Sequence, residues 1–361
     1  MDGEERSQAE RYLALHLYHH EGLDPVVERF VHPLVASLAT AGWIDGFFFV
    51  RYALGGPHVR LRLRLRETSE IAKAIVRVRE AMERAAEHFL ADLPSTRSLE
   101  EEAIRRTNET ILAHDSSESD AAVYPDNSFR LVPFHPEVER YGGPERFLLS
   151  LDFFTLSSVS ALEFLACRRL ASGSEATRAR LLGQALGRLL NQALAFAADE
   201  AELADLLRFG MDWWGEALPK VVEKGGRVAE ARRDDFFHLF DRSLAEVVSV
   251  LSASPPSAGA AGLLVLGARR LSTAIGTADR AIRARIGASQ LHLSANRLGL
   301  SNAEEVYLSR LLTETLSPMS AAGLAGFPWR GEERTGSEGL GDLLPAALQA
   351  LAATPGAMPP A

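Results

Sequence analysis

Three short segments carry residue types and spacings suited to chemistry. The first is His58-Val59-Arg60-Leu61-Arg62-Leu63-Arg64-Leu65-Arg66. At a period of two, His58 and the four arginines share one face of a strand, and the valine and leucines share the other. Neighbouring guanidiniums repel unless an acid, an anion or solvent compensates. A guanidinium pair suits a carboxylate or an electron-rich amide oxygen. Arg60 and Arg62, beside His58 and the preceding turn, are the candidates for that work. Arg64 and Arg66 read as a solvated edge face paired with surface acids.

The second segment is Phe134-His135-Pro136-Glu137-Val138-Glu139-Arg140-Tyr141-Gly142-Gly143. Acids and an arginine follow a strand, and two glycines free the backbone. Glu137 and Arg140 are close enough to pair with each other, a purely structural use. The third is Gln290-Leu291-His292-Leu293-Ser294-Ala295-Asn296-Arg297-Leu298-Gly299. On a helix, Gln290, Ser294 and Arg297 share one face, and His292 and Asn296 stack on another. A lone histidine on an apolar helix is more often structural than a general acid. His16, His19 and His20 cluster at a strand end. Without acidic or thiolate partners at metal spacing they read as exposed histidines, not a metal site.

The elements that must position these segments follow from periodicity. Tyr12 to Tyr18 alternates as a half-buried strand. Asp24-Pro25 reads as an N-cap with proline at the first helical position, opening a helix that Gly42 ends, with Pro33 as a kink. Phe47 to Leu54 and His58 to Arg66 form a hairpin around Gly55-Gly56-Pro57. Thr68 or Ser69 caps a helix striped by Ile71, Ile75, Val78, Met82, Ala85 and Phe89. Ser98 to Ala113 is helical, Asp115 to Asp126 a polar loop, and Phe129 to Phe134 a fourth strand. Helical patterns then fill Pro144 to Ala171, Ser174 to Phe209, Asp234 to Ser252 and Ala258 to about Arg285. Ser301-Asn302-Ala303-Glu304 is a capping box for the last clear helix. A looser amphipathic helix is expected over Asp342 to Ala353. Strands first and helices later predict an α+β fold: a small antiparallel sheet with helices, then long helices.

Composition narrows the function. The chain has 361 residues, 47% hydrophobic and 24% charged, with a net charge of −9. That acidity argues against a nucleic-acid partner. Cys167, the single cysteine, excludes an internal disulfide and a multi-thiolate zinc site. Its apolar helical surroundings predict a buried structural thiol. The polar Met1 to Arg11 is no secretory signal, and no apolar run looks long enough to span a membrane. The best candidate, Ala258 to Ala268, is short and glycine-broken. The expected compartment is the cytoplasm, where the sequon Asn108-Glu109-Thr110 has no meaning. There is no dinucleotide glycine fingerprint, phosphate loop or serine-hydrolase elbow. Gly259 to Gly267 reads as close helix packing.

Taken in order, His58-x-Arg60-x-Arg62, Pro136-Glu137-x-Glu139-Arg140-Tyr-Gly-Gly143 and His292-x-Ser294-x-Asn296-Arg297-x-Gly299 resemble the thiopeptide-type bacteriocin biosynthesis family. This is the family of the C-terminal elimination domain of lantibiotic dehydratases. The resemblance spans about Tyr12 to Leu316. It implies one elimination-domain-like catalytic domain over 10–318, with 319–361 as a flexible tail. It also implies a role in maturing a ribosomally made peptide. Some members eliminate glutamate from glutamylated serine or threonine; others are pyridine synthases that join two dehydroalanines. In eliminating members, the arginines matching Arg60, Arg62 and Arg140 grip the glutamyl group, so these three are expected to converge on one pocket. Eliminating members also carry a catalytic histidine at the position of Ser294.

Serine is a poor acid-base group, whereas a cycloaddition asks mainly for positioning and amide polarisation. The resemblance therefore implies a pyridine synthase, with glutamate elimination or a non-catalytic precursor-binding subunit as alternatives. The expected catalytic residues are Ser294, Gln290 and Tyr52, with His292 in support. Glu137, Asn296 and Arg297 join the three arginines in binding substrate. No cofactor, nucleotide or metal is expected. The partner is a modified precursor peptide with its leader, other maturation enzymes being possible further partners; a sheet edge in the N-terminal half is a place for a leader to add as a strand.

Overall fold

The computed structural model describes residues 11–93, 98–114, 122–170, 175–252, 259–276, 279–322 and 339–354. They form two compact units: Met1–Pro136 with Leu348–Ala361, and Glu137–Ala347. The α+β expectation holds, with the strands in the first unit and long helices in the second.

The first unit is built on four antiparallel strands, β1 (Tyr12–Tyr18), β2 (Ile44–Tyr52), β3 (His58–Leu65) and β4 (Ser128–Val132), in the order β2-β3-β1-β4. The alternation of β1 and β3 does what a period of two dictates. Leu15, Leu17, Val59, Leu61, Leu63 and Leu65 are all buried, with Phe47 and Phe49 of β2. Helix α2 (Ile71–Ala91) packs on β1 and β3 and buries Ala74, Val78, Met82, Ala86 and Phe89. Each of the buried valine, leucine, methionine and phenylalanine side chains contributes about 1.5–3 kcal/mol.

Several local expectations are corrected. Strand β3 is interior, between β2 and β1, so its arginine face is not an edge. Asp24 is itself helical, and its Oδ1 accepts from Arg51 Nη1 at 2.6 Å instead of capping. The helix at Pro33 is relieved by a π-helical turn over Val27–Val31 before α1 (His32–Thr40). The N-cap of α2 is Glu70; Thr68 Oγ1 only accepts from the Glu70 N–H. Helix α3 (Glu101–His114) buries Asn108, whose Oδ1 accepts the Gly55 N–H at 2.8 Å. The sequon asparagine is thus a turn anchor. Most of the polar loop, 115–121, lies outside the described residues.

In the second unit, α4 (Pro144–Leu170) is the core helix. Its Pro144–Cys167 stretch is, by length and composition, apolar enough to cross a membrane, contrary to the expectation that none is. Some 78% of its apolar window is buried inside the protein, as suits a core helix. Cys167 is exposed, which overturns the buried thiol: Phe164, Leu165 and Ala166 take the inward positions, and 167 turns outward.

The expected long helix over 174–209 is two, α5 (Glu175–Phe196) and α6 (Glu200–Trp214), because Asp199 caps the second through the Glu202 N–H. Helix α7 (Pro219–Ala231) is not among the expected helices. Its Gly225 and Gly226 lie against Arg310, where a Cβ at Gly225 would fall 2.9 Å from the Arg310 Cβ. Helix α8 covers Arg233–Ser252. The pattern from 258 to 285 is likewise divided, into α9 (Ala260–Ile275) and α10 (Arg280–Arg297). Gly276, with φ of 73°, stops the first, and Asp279 caps the second. Close packing at Gly267 is observed: a Cβ there would strike the Leu156 side chain.

The capping box opens α11 (Asn302–Ala322): Ser301 Oγ accepts from Glu304 N–H, and Glu304 accepts from Ser301 N–H at 2.9 Å. Ser301→Ala should cost about 1 kcal/mol in a urea titration. An unchanged midpoint would contradict the cap. Near the C-terminus α12 (Leu344–Ala353) buries Leu344, Ala347 and Leu351. Residues 323–338 and 355–361 of the expected tail lie outside the described residues.

Candidate active site

Register places a polar row across the sheet. Val50 pairs with Arg60, Arg60 with His16, and His16 with Arg130. Cross-strand partners share a face, so Tyr52, His58, Arg60, Arg62, His16, Tyr18 and Arg130 lie on the side opposite the leucines.

Arginine only donates, and this fixes the histidines. Arg60 Nε donates to His58 Nε2 at 3.1 Å, so the His58 proton sits on Nδ1 and is given to the Gly56 carbonyl at 2.8 Å. The Arg60 guanidinium, so oriented, lies 3.7 Å over the Tyr52 ring. Arg62 Nη2 lies 3.3 Å from His16 Nε2, which must accept. Both imidazoles are therefore neutral. Burial, then the Arg60 charge, lowers His58 to about 3. Burial, then Arg62, His58, Arg60 and Arg130, pushes His16 far below its ordinary value. The turn that presents His58 is itself held: Gly55 and Gly56 have φ of 82° and 115°, and a Cβ on Gly55 would strike the Tyr124 ring at 2.7 Å.

The linkage has a definite sign. His16 and His58 are neutral when folded and take a proton when unfolded below about pH 6.5. Between that pH and about 3 the unfolded chain holds more protons. Their stabilisation is complete above pH 6.5 and is lost as pH falls, by about 1.4 kcal/mol per unit for each histidine. Urea midpoints at pH 7.5, 6 and 5 should fall, and His58→Gln should flatten the fall. A level profile would refute the neutral pair.

The other arginines of β3 divide. Arg64 Nε donates to Asp45 Oδ1 at 2.6 Å, and Arg11 takes Asp45 Oδ2 at 2.7 Å. Arg64 is thus paired with an acid, though half-buried on an interior strand; Arg66 is exposed. The histidine cluster is not the exposed set expected. His19 and His20 are buried. His19 Nδ1 meets Asn127 Oδ1 at 2.8 Å, and the His20 N–H donates to Asp126 at 2.7 Å. Packing of the β1 end under the hairpin turn removes them from solvent. Among the described residues, no group of three or more His, Cys, Asp or Glu is placed to hold a metal ion.

In the helical unit, Arg140 Nη1 donates to Glu137 at 2.9 Å on the surface, the structural pairing anticipated. Tyr141 O–H is 3.0 Å from Ser289 Oγ, and burial raises its pKa. On α10, Gln290, Ser294 and Arg297 share a face, as expected, and all three are buried. Arg297 Nη1 donates to Ser157 Oγ at 2.6 Å, and the guanidinium lies 5.0 Å over Phe154. Burial lowers its pKa to about 9, Tyr141 opposing, so it stays charged at neutral pH. The Gln290 side-chain amide and Ser294 Oγ are buried with no hydrogen-bond partner, as is Gln192 Oε1. Ser294 and Gln192 line a small cavity with Ser157, Ser160 and Arg188. Buried polar atoms in this state hold unused donor and acceptor capacity, suited to an amide or water. His292 faces elsewhere: its Nδ1 is 2.9 Å from Glu305 Oε2. Asn296, half-buried, lies with His292 and away from Ser294. Sequence reasoning missed His58 as the group that orients Arg60, and Arg130 and His16 as members of the same face. The signal lay in the alternation of β1, whose His16 must face the arginines if Leu15 and Leu17 face the core.

Residues 13–316 match the family described as lantibiotic biosynthesis dehydratase C-term. The chain belongs to this family. No curated protein matches it by sequence. Among solved structures it is similar to the pyridine synthase TbtD from thiomuracin biosynthesis, with a TM-score of 0.68 and 18% identity over 87% of this chain and 100% of that one. It is also similar to TsrL, with a TM-score of 0.53 and 16% identity over 93% and 98% of the two chains. The tRNA-dependent lantibiotic dehydratase MibB from Microbispora sp. 107891 matches with a TM-score of 0.50 and 17% identity over 86% of this chain, which spans 28% of MibB. At these identities the likenesses establish a shared fold. The family match covers all three motifs, so the resemblance read from them holds.

Proposed function

We propose that this protein is a pyridine synthase of thiopeptide maturation, acting in the cytoplasm on a modified precursor peptide with its leader. Residues 10–318 act in this reading as one catalytic domain. The observation that carries the reading is the pair Ser294 and His292. Ser294 stands where eliminating members are expected to have their acid-base histidine, and His292 is turned to Glu305 on another face of the helix. The face of Gln290, Ser294 and Arg297 thus offers hydrogen bonding without a group that titrates near neutrality. The likeness to TbtD over the whole of that chain supports the same choice.

The reaction is a formal aza-cycloaddition. An amide carrying one dehydroalanine, as its imidic-acid tautomer, is the four-atom azadiene, and a second dehydroalanine is the alkene. Two bonds form to close the six-membered ring. Water leaves from the former amide carbon, and the leader departs as an amide, taking the hydrogen that leaves the ring aromatic. Holding both alkenes in register supplies much of the acceleration, roughly 7–11 kcal/mol in well-oriented cases. Ser294 and Gln290 hydrogen-bond the reacting amide and favour its tautomer. Tyr52 is assigned the role of a neutral proton donor in this reading. Arg60, Arg62 and Arg140 bind the peptide, with Glu137, Asn296 and Arg297 as supporting contacts. No redox step occurs, and other maturation enzymes supply the dehydroalanines.

The test offers the protein two peptides, one glutamylated on serine and one carrying two dehydroalanines. Consumption of the second, with the first unchanged, is expected. Glutamate release from the first alone would replace this reading with elimination, and turnover of neither would make the chain a binding subunit.

A further inference from the structure

Gln192 belongs to none of the three motifs, yet its side chain lines the same buried cavity as Ser294. Three helices of the helical unit meet there. Helix α4 supplies Ser157 and Ser160, α5 supplies Arg188 and, one turn on, Gln192, and α10 supplies Ser294. The space open to a water centre is about 10 Å³, room for a single water. Both α4 serines are engaged by arginines: Ser157 Oγ accepts from Arg297 Nη1 at 2.6 Å, and Ser160 Oγ from Arg188 Nη1 at 2.7 Å. Each of these hydroxyls keeps its own hydrogen to donate. Gln192 Oε1 and Ser294 Oγ differ. Their residues are 2% and 4% exposed, and neither oxygen has a hydrogen-bond partner among the described residues. Two desolvated polar atoms on one small polar cavity call for a group between them.

We propose that this cavity is the site of one structural water, which donates to Gln192 Oε1 and to Ser294 Oγ, and that through it Gln192 is a positioning residue for the Ser294 hydroxyl. Hydrogen counting leads there. Gln192 Oε1 only accepts, so the bridging group must donate to it. A water has two hydrogens to give, and Ser294 Oγ can take the second. The hydrogen of Ser294 itself is then left to point at the oxygen of the reacting amide. The water in turn accepts from Ser157 or Ser160, which brings it to three hydrogen bonds, the usual number for a buried water. Because both serines accept from guanidiniums, the chain runs from a charged donor through a hydroxyl and the water to Ser294, and each link polarises the next. Ser294 becomes a stronger donor than a lone hydroxyl. Arg188 in the wall disfavours a cation at this place, and the Gln192 oxygen disfavours an anion.

The water site rests on the cavity alone, whereas its role at Ser294 rests on the proposed function, and the two are measured separately. A crystal structure of the full-length protein, at a resolution that shows ordered waters, should place one within hydrogen-bond distance of both Gln192 Oε1 and Ser294 Oγ. A cavity without density would overturn the proposal. Gln192→Met keeps the length of the side chain and removes the acceptor, so the water should leave. With the two-dehydroalanine peptide, kcat should then fall about tenfold at little change in KM, because the lost contact acts on the reacting amide and not on peptide binding. Gln192→Glu keeps an acceptor oxygen and should retain the water and most of kcat. Asn191→Leu removes the neighbouring buried amide, whose Oδ1 also lacks a partner but lies outside the cavity wall, and should change neither. An unchanged kcat in Gln192→Met, a loss that falls on KM, or an equal loss in Asn191→Leu would overturn the positioning role. Should Gln192→Met not fold, Gln192→Asn, which withdraws the oxygen by one methylene, takes its place with the same expectations. A parent protein that holds the water but closes no ring would overturn the role together with the proposed function and leave the site standing.

Discussion

Glu202→Ala should destabilise the helical unit by about 3–5 kcal/mol, enough to unfold a marginal domain at ordinary temperature. Glu202 and Arg283 are both buried, and Arg283 Nε donates to Glu202 Oε1 at 2.6 Å. The other carboxylate oxygen accepts the Ala198 N–H at 2.6 Å, closing the α5–α6 break. Arg283 also donates to the Phe196 carbonyl at 2.8 Å and to Ser272. One guanidinium thereby ties the end of α5, the start of α6, α9 and α10. Removing the acid leaves a buried cation with only neutral acceptors. Joint replacement, Glu202→Ala with Arg283→Met, should recover much of the loss, because the cost lies in the uncompensated charge. Denaturant midpoints of the three proteins decide. Equal stability of Glu202→Ala and the parent would mean that the pair does no structural work.

Arg60→Ala should behave in the opposite way, abolishing most turnover while costing about 1 kcal/mol or less of stability. The guanidinium is held by Tyr52 and His58 on a polar sheet face and contributes nothing to the leucine core below. If it hydrogen-bonds the reacting peptide, its loss should reduce kcat/KM about 100-fold, the scale of one removed charge-stabilising donor. Arg60→Lys keeps the charge but loses both the Nε donation to His58 and the planar stack, so it should recover little. Turnover near that of the parent in either variant would remove Arg60 from the site. A matching collapse of stability would make its role structural.

Much of this fold was legible because alternation and helical stripes report directly on burial. The leucines of β1 and β3 and the stripe of α2 are examples. What escaped was set by contacts between distant residues. Helix α7, with Gly225-Gly226 inside it, was not expected; the close approach of Arg310 explains why small residues stand there. Asp199 and Gly276 cut patterns that remain periodic through the break. Cys167 sits in an apolar run, yet its angular position faces solvent. The site divided the same way. The shared face of Gln290, Ser294 and Arg297 follows from helix geometry alone, and the Glu137–Arg140 pair from spacing. The neutral state of His16 and His58 required their arginine donors, and the placement of Arg60 and Arg130 on either side of His16 required the strand order. Pairing across a sheet is not written in either strand by itself.

We propose that this chain, without assistance, converts two dehydroalanines into a pyridine. The most direct measurement is the mass and ultraviolet spectrum of a leader-bearing peptide with two dehydroalanines after incubation with the purified protein alone. Loss of the starting mass, appearance of the leader as a C-terminal amide, and a macrocyclic product that has lost water and absorbs as a substituted pyridine are expected. An unaltered peptide, under conditions where the same protein releases glutamate from a glutamylated precursor, would contradict it.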